Sequence, residues 1–341
     1  MLLSGLAIAS VHVGSTGVHD SRTTLQGFLG LLGLSDGLAA GQQMIVELRV
    51  WRTLVAALVG ASLALSGALL QGVFRNDLAS PAILGLSSGA GLGASVAILI
   101  IGGYGPLTLV RSASSAAPLF VTAAAFLGSA GVTALVVALA TTGGRISVPT
   151  LLLVGIAINA VAAGSIAAIQ SFAVRDFEVA RAMMVWSFGT LDDRQAIHAL
   201  FSAGALALSA SVLPFVSTEL DLFAAGEEDA LALGVDTARV KLLALVAAAL
   251  AASVAVSVAG QIAFVGLVVP HLLRLLFGRS HKHLLGMSML GGAVFLLGAD
   301  VLQRACFGTS AQLQPGVAMS LIGGPFFLFL LVRNRERIQG W

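Results

Sequence analysis

Long apolar stretches, separated by short polar breaks, make up most of this sequence. Hydrophobic residues account for 57% of its 341 positions and charged residues for only 10%, which is far from the composition of soluble globular domains. A bilayer core of roughly 30 Å needs about 20 apolar residues in helical form, so stretches of this length are typical of membrane helices. The sequence therefore predicts an all-α polytopic membrane protein with a single transmembrane domain, residues 1–341.

We predict about ten membrane helices from these stretches. The first, at 1–13, reaches only about 20 Å at 1.5 Å per residue, so we expect either residues before it or a tilted helix shielded by neighbours. The others are predicted at 50–72, 83–102, 118–140, 148–170, 197–216, 242–258, 262–276, 284–301 and 317–332. Residues 175–194 are charged and are expected outside lipid.

An even number of spans places both ends of the chain on one side of the membrane. Arg333, Arg335 and Arg337 follow the last span, and positive residues favour the cytoplasmic side. We therefore expect both termini in the cytoplasm and the protein in the cytoplasmic (inner) membrane. This topology leaves several arginines on the outer face, and these need another explanation.

An island of charge at 219–241 interrupts the apolar pattern, with eight charged residues in 23 positions. A charge at the bilayer centre costs about 2.5–3.5 kcal/mol, so the island is expected to be a solvated loop between spans six and seven. Within it, residues 227–234 begin with acidic side chains and end in glycine, which is typical of a short exposed helix. A soluble partner could move such a helix, or it could be only a solvated connector.

The other motifs do not indicate catalysis or cofactor binding. Gly85, Ser87 and Gly89 match the G-x-S-x-G pattern, but a catalytic elbow needs a preceding strand, whereas apolar helix is predicted here. The chain has no phosphate-binding loop, so any nucleotide is expected on another chain. His281 and His283 flank a lysine in a basic turn, where solvated histidines are more common than metal ligands. We predict no metal, no cofactor and, at a net charge of +2, no nucleic acid partner.

A few polar residues lie within the predicted spans. Gln71, Asn159 and Gln170 could hydrogen-bond neighbouring helices or line a substrate path. Asp300 and Arg304, spaced i, i+4, can pair at a helix end. With one acidic residue near a span, ion coupling has little to act on, although an ion-coupled secondary transporter remains an alternative.

Several segments together resemble a known family. They are the arginine-rich segment and following helix at 49–91, LLLVGIAIN at 151–159, MVWSFGTL at 184–191, EEDALALG at 227–234, GQIAFVGLVVPHLLRLLFG at 260–278, the pair at 299–300 with Arg304, and LIGGPFFLFLL at 321–331. This sequence is similar to the permease subunits of the type II ATP-driven (ABC) importers for haem, iron siderophores and vitamin B12. The resemblance covers almost the whole chain from Arg49 onward.

The resemblance implies a fold, partners and sites. It implies a permease of ten helices that pairs with a second copy, two cytoplasmic ATPase subunits and a periplasmic binding protein, and that is not itself an enzyme. Arg49, Arg52 and Arg304 would then form a positive patch that docks acidic residues of the binding protein, which accounts for part of the outer arginine excess. The ATPase-coupling residues would be Glu227, Glu228, Asp229, Ala230, Leu233 and Gly234. The segment at 155–159, followed by that around Trp186, looks most like haem permeases, with siderophores and vitamin B12 as alternatives.

This chain departs from the family pattern at a few positions. Asp77 replaces the proline of the usual N-P-L-A motif, and Gln261 replaces the proline of the usual G-P-I-G-F motif. Ser280 replaces the aspartate of the usual D-H-R turn. The acidic residue usual before the last span is replaced by Gln312 or Gln314. None of these changes alters the charges at positions 49, 52 or 304.

Overall fold

The computed structural model describes residues 2–14, 17–18, 21–31, 33–34, 38–102, 117–143, 145–224, 226–307 and 313–333. The first half of this described part contains α1 (Leu2–His12), β1 (Val13–Gly14), β2 (Gly17–Val18), α2 (Ser21–Leu31), α3 (Ala40–Phe74), a 3-10 turn (Pro81–Leu84), α4 (Leu86–Ile101), α5 (Ala117–Ala140), β3 (Thr141–Thr142), β4 (Arg145–Ile146) and α6 (Val148–Ala173). The second half contains α7 (Phe177–Ser187), α8 (Ala196–Ala210), α9 (Leu213–Phe223), α10 (Glu227–Ala232), α11 (Thr237–Ala259), α12 (Val265–Phe277), α13 (His281–Phe307) and α14 (Pro315–Arg333). Each strand pair is a two-residue antiparallel hairpin, so the described protein is essentially all helical.

The prediction of about ten membrane helices is confirmed for the described residues. Five helices, α3, α5, α6, α11 and α13, are long and apolar enough to cross a bilayer. Helices α8 and α9 meet at a bend of 54° and together make a sixth candidate span. Four shorter apolar helices, α1, α4, α12 and α14, complete the set. The 11 residues of α1 reach about 16 Å, so the expectation that the first helix is short for a full crossing holds.

Several boundaries differ from the prediction. Helix α3 begins ten residues before the predicted span because the mixed segment at 40–49 continues the same helix. The charge island is narrower as a connection than predicted, since α9 runs through Phe223 and α11 begins at Thr237, and the connection between them carries α10. The charged segment at 175–194 contains α7, whose first turn is capped by the Asp176 carboxylate. Of the residues after the last span, Arg335 and Arg337 lie outside the described residues, as does Gln312.

Helices α3 and α11 form the centre of the bundle. Most of each is buried, whereas few residues of α6 are buried within the chain. Helix α3 packs against α13, α11 and α12, and α4 packs against α5. Alanine supplies nine of the 23 residues of α11. Such small side chains let helices approach closely in lipid, where the hydrophobic effect does not drive helix association.

Glycines allow the closest of these contacts. A Cβ atom added at Gly292 of α13 would lie 2.2 Å from the carbonyl oxygen of Gly60 in α3, and one added at Gly60 would lie 2.2 Å from the Gly292 oxygen. A Cβ added at Gly67 would lie 1.7 Å from the carbonyl oxygen of Gly266 in α12. At these three positions the neighbouring helix backbone occupies the space that any other residue would need.

We expect Gly292→Ala to destabilise the protein because its new methyl group meets rigid backbone. Overpacking of this kind costs about 1–3 kcal/mol, which thermal unfolding in detergent would register as a lower melting temperature. Gly286→Ala is the matched control on the same helix, since no atom lies within 4 Å of an added Cβ there. That control should be neutral or slightly stabilising, because alanine is the better helix former. Equal melting temperatures for the two variants would contradict the proposed close contact.

Candidate functional site

Polar and charged residues gather at two opposite ends of the bundle. Helices α3 and α13 run antiparallel, since Arg52 near the start of α3 pairs with Asp300 near the end of α13, while Gly72 at the end of α3 contacts His281 at the start of α13. We call the first the arginine end, defined by Arg52 and Asp300. We call the second the loop end, defined by α10 and His281.

Asp300 is the centre of the arginine end. Its carboxylate is completely buried and is bound by two guanidinium groups, with N–O distances of 2.7 Å to both Arg52 and Arg304. Arg52 also pairs with Asp192, which lies between α7 and α8. A buried carboxylate needs opposite charge and several hydrogen bonds to offset its lost hydration. The cluster therefore ties α3, α13 and the α7–α8 connection together.

Two arginines of the same cluster bind the end of α1. The last carbonyls of a helix have no partner within it, and Arg49 donates to the carbonyls of Val11 and His12 at 3.0 and 3.1 Å. Arg304 donates to the carbonyl of Ser10 at 2.9 Å and to its hydroxyl at 2.7 Å. Positive charge at a helix C-terminus also favours the helix dipole. The short α1 is thereby fixed to the bundle by the arginines of α3 and α13.

The structure brings Arg49, Arg52 and Arg304 together but does not expose them. Arg49 and Arg304 are 6% and 8% exposed, and all three side chains have partners within the chain. Asp192 and Asp300 pair with two of the three arginines, so part of the positive charge is balanced within the chain. The docking role itself stays a prediction. The predicted i, i+4 pair of Asp300 and Arg304 is confirmed.

The loop end carries α10, the short acidic helix predicted within 227–234. Ala230 is fully buried against the bundle, whereas Glu227, Glu228, Asp229, Leu233 and Gly234 are exposed. Glu227 pairs with Lys241 of α11, whose ammonium lies 5.9 Å from the Phe223 ring centre. Gly234 has a φ of +85°, which glycine adopts without strain, so the chain can turn sharply after α10. The helix is anchored on one side and open to solvent on the other.

Two groups at the loop end were not predicted from the sequence. Asp221 of α9 binds Ser280 and His281, which begin α13. Asp77 pairs with Arg274 at 3.0 Å and with the exposed Arg279 at 3.8 Å. For the second group, the signal in the sequence was Asp77, an acid in a motif that usually carries proline. Nothing in the sequence pattern indicated its partners.

The three glutamine and asparagine residues proposed for a substrate path lie in different places. Gln71 is buried, accepts from Arg274 and lies 3.3–3.4 Å from the carbonyls of Ala79, Gly266 and Leu267, which favours a structural role. Asn159 is partly exposed and donates to the Ala82 carbonyl at 3.0 Å. Gln170 is partly exposed on α6. Their place along a substrate path stays a prediction.

Groups of three or more potential metal ligands are absent from the described residues. The serine of the G-x-S-x-G pattern, Ser87, lies in the first turn of α4 and follows a 3-10 turn instead of a strand. The geometry of a nucleophile elbow is therefore not formed there.

Comparisons with known proteins agree with this architecture. The model of the FecCD transport family matches residues 2–333. A cobalamin import system permease of Halobacterium salinarum is 40% identical, over 89% of this chain and 77% of the relative. A hemin transport system permease of Yersinia pestis is 37% identical, over 86% of this chain and 85% of the relative. A solved structure, described as an inward-facing conformation of a metal-chelate type ABC transporter, has a TM-score of 0.77 and 29% identity, covering 97% of this chain and 96% of that one.

The fold and these matches define a membrane-embedded permease subunit of the type II ABC importer class. The chain belongs to the FecCD transport family. The family consists of permease subunits for haem, siderophore or vitamin B12 substrates, which are not themselves catalytic.

We expect Asp300→Asn to lower the stability of the protein strongly. The substitution leaves the buried guanidinium group of Arg304 without its carboxylate partner and leaves Arg52 with Asp192 alone. Breaking a buried pair costs about 3–5 kcal/mol. Asp193→Asn is the control, because Asp193 is exposed in a left-handed conformation that asparagine also tolerates. Thermal unfolding in detergent should separate the two variants by many degrees. A melting temperature of Asp300→Asn equal to that of the control would contradict a structural role for this cluster.

Proposed function

We propose that this chain is the membrane-spanning subunit of an ATP-driven importer that carries haem across the cytoplasmic membrane by alternating access. The observation that supports this mechanism is the way α10 is attached to the bundle. It is an acidic helix held to the bundle by Ala230 and by the Glu227–Lys241 pair, with its remaining residues open to a partner. Because these contacts are local, a displacement of α10 reaches α9 and α11 directly.

The proposed assembly has four other components. A second copy of this chain completes the pore, two ATPase subunits bind the loop end in the cytoplasm, and a periplasmic binding protein delivers substrate to the arginine end. The proposed topology places both termini in the cytoplasm. Few residues of α6 are buried within the chain, which supports a surface that lipid or a second copy covers. ATP binding and hydrolysis in the partners would supply the work.

The alternative of an ion-coupled secondary transporter has little support within the described residues. Proton or cation coupling needs an intramembrane acid that can exchange its partner. Asp300 is buried in a membrane helix, but both of its oxygens are bound by arginines, which favours a structural role.

The substrate is the finer part of the proposal. The resemblance of 155–159 and the Trp186 segment to haem permeases supports haem, and the relative from Yersinia pestis is named for hemin transport. The relative from Halobacterium salinarum is named for cobalamin import. Uptake into proteoliposomes of the full complex should be measured in parallel with haem, a ferric siderophore and cobalamin, with ATP supplied and ion gradients collapsed. ATP-dependent uptake of haem alone is expected, and uptake of another of the three would reassign the substrate.

We expect Glu228→Lys to weaken the association of the ATPase subunits and to lower uptake. Glu228 is exposed on α10, so the reversal changes the surface offered to a partner without altering buried packing. The control is Glu178→Lys, the same charge reversal on α7, away from the loop end. Co-purification of the ATPase and the rate of ATP-dependent uptake are the measurements. Normal ATPase association and uptake in Glu228→Lys would argue against this coupling role.

A test of docking must separate charge from structure, because Arg49 also holds α1. Arg49→Lys keeps the positive charge but replaces the planar guanidinium group that binds the Val11 and His12 carbonyls, whereas Arg49→Glu reverses the charge. If charge guides docking, affinity for the binding protein should fall by about tenfold or more only in Arg49→Glu, and wild-type affinity should fall with salt. If Arg49 is purely structural, both variants should lose thermal stability and neither should change the salt dependence of binding.

A further inference from the structure

The start of α13 is held by a carboxylate from another helix. The Oδ1 atom of Asp221 accepts from the backbone N–H of His281 at 2.6 Å and lies 2.7 Å from Nδ1 of the same residue. The hydroxyl of Ser280 donates to Oδ2 at 3.0 Å. The first N–H groups of a helix lack partners within it, and its N-terminus carries partial positive charge. Asp221 of α9 therefore supplies the cap that α13 needs.

The His281 ring is confined on its other side by α3. A Cβ atom added at Gly72 would lie 2.8 Å from Nε2 of His281, so the ring packs directly on the α3 backbone. The ring is buried, and within the described structure Nε2 has no hydrogen-bond partner. His281 thus contacts α9 through one ring nitrogen and α3 through the opposite edge. A shift of α9 cannot leave both contacts unchanged.

Helix α9 is also the element next to α10. It ends at Phe223, and α10 begins at Glu227 after three residues. Leu220 and Phe223 of α9 belong to the same buried apolar cluster as Ala230 of α10. Asp221 lies between these two anchoring residues, so the carboxylate that caps α13 is placed next to the cluster on which α10 packs.

A second contact fixes the same turn to the end of α3. Arg279, just before Ser280, and Arg274 of α12 both pair with Asp77. Arg274 also donates to Gln71 of α3. Because Arg279 is mostly exposed, its pair contributes little, and the buried Arg274 makes the stronger contact. The α12–α13 turn is therefore held by α9 on one side and by the α3 end on the other.

We infer that Asp221 and His281 are positioning residues for transport: they pass displacement of α10 to the α12–α13 turn and to α3. This inference rests on the proposed function, in which the ATPase subunits move α10. Helix α13 also carries Asp300 at the arginine end, so a shift at its start reaches the far end of the bundle through one continuous helix. Loss of the contact between Asp221 and His281 leaves α10 able to bind its partner but unable to move α13.

The test measures uptake per ATP hydrolysed in the full importer complex reconstituted in proteoliposomes. His281→Ala and Asp221→Ala should still assemble with the ATPase and hydrolyse ATP. Substrate uptake per ATP should fall by about fivefold or more, which is the size of effect that typical coupling energies between sites produce. His283→Ala is the matched control, the same substitution two residues later at an exposed position. His281→Asn should restore much of the ratio, because an amide can donate to Asp221 as the imidazole does. The double variant Asp221→Ala with His281→Ala should be no worse than either single variant, since each single substitution already removes the contact between the two side chains.

Each other outcome has a defined meaning. A lower melting temperature in His281→Ala with an unchanged uptake per ATP would overturn the inference and leave only a structural contact. Additive losses in the double variant would also overturn it, since the two residues would then act separately. Absence of ATP-dependent uptake by the wild-type complex, for all three substrates, would count against the proposed function and not against this contact.

Discussion

The close approach of α3 to α13 sets the geometry of the whole described structure. At Gly60 and Gly292 the two backbones touch, and no side chain separates them. Helices in lipid gain nothing from hiding apolar surface from water, so this packing and the polar contacts at its ends must hold the pair. Both polar clusters lie along the same pair of helices, Arg52 with Asp300 at one end and Gly72 with His281 at the other.

The two ends use charge in different ways. At the arginine end a fully buried carboxylate is surrounded by arginines, which also bind the last carbonyls of α1. Removing either partner of such a cluster leaves an uncompensated buried charge, so it acts as a rigid fastening. At the loop end the acids are partly exposed, and each binds groups of a neighbouring turn: Asp77 pairs with Arg274 and Arg279, and Asp221 binds Ser280 and His281. The two ends therefore differ in burial: the arginine end is closed around its carboxylate, whereas the acids of the loop end remain accessible.

The position of α10 follows from the same physics. Acidic side chains in its first turn favour the positive end of its helix dipole and keep the segment out of lipid. Ala230 and the buried end of α9 fix it to the bundle, while the outer residues remain open. The helix is thus short and accessible, and it is connected to the core through α9 and α11.

The sequence by itself determined the class of fold, the number of apolar helices and the place of the acidic segment, because hydropathy and charge act locally and bilayer thickness fixes helix length. It also indicated the Asp300–Arg304 pair, which needs only helical spacing. Only the tertiary structure decided that Arg49, Arg52 and Arg304 converge on buried carboxylate and carbonyl oxygens, and that Asp221 caps α13 from 60 residues away. Helix registers and crossings decide such partners, and these depend on which glycines meet across α3, α12 and α13, which periodicity in one helix cannot specify.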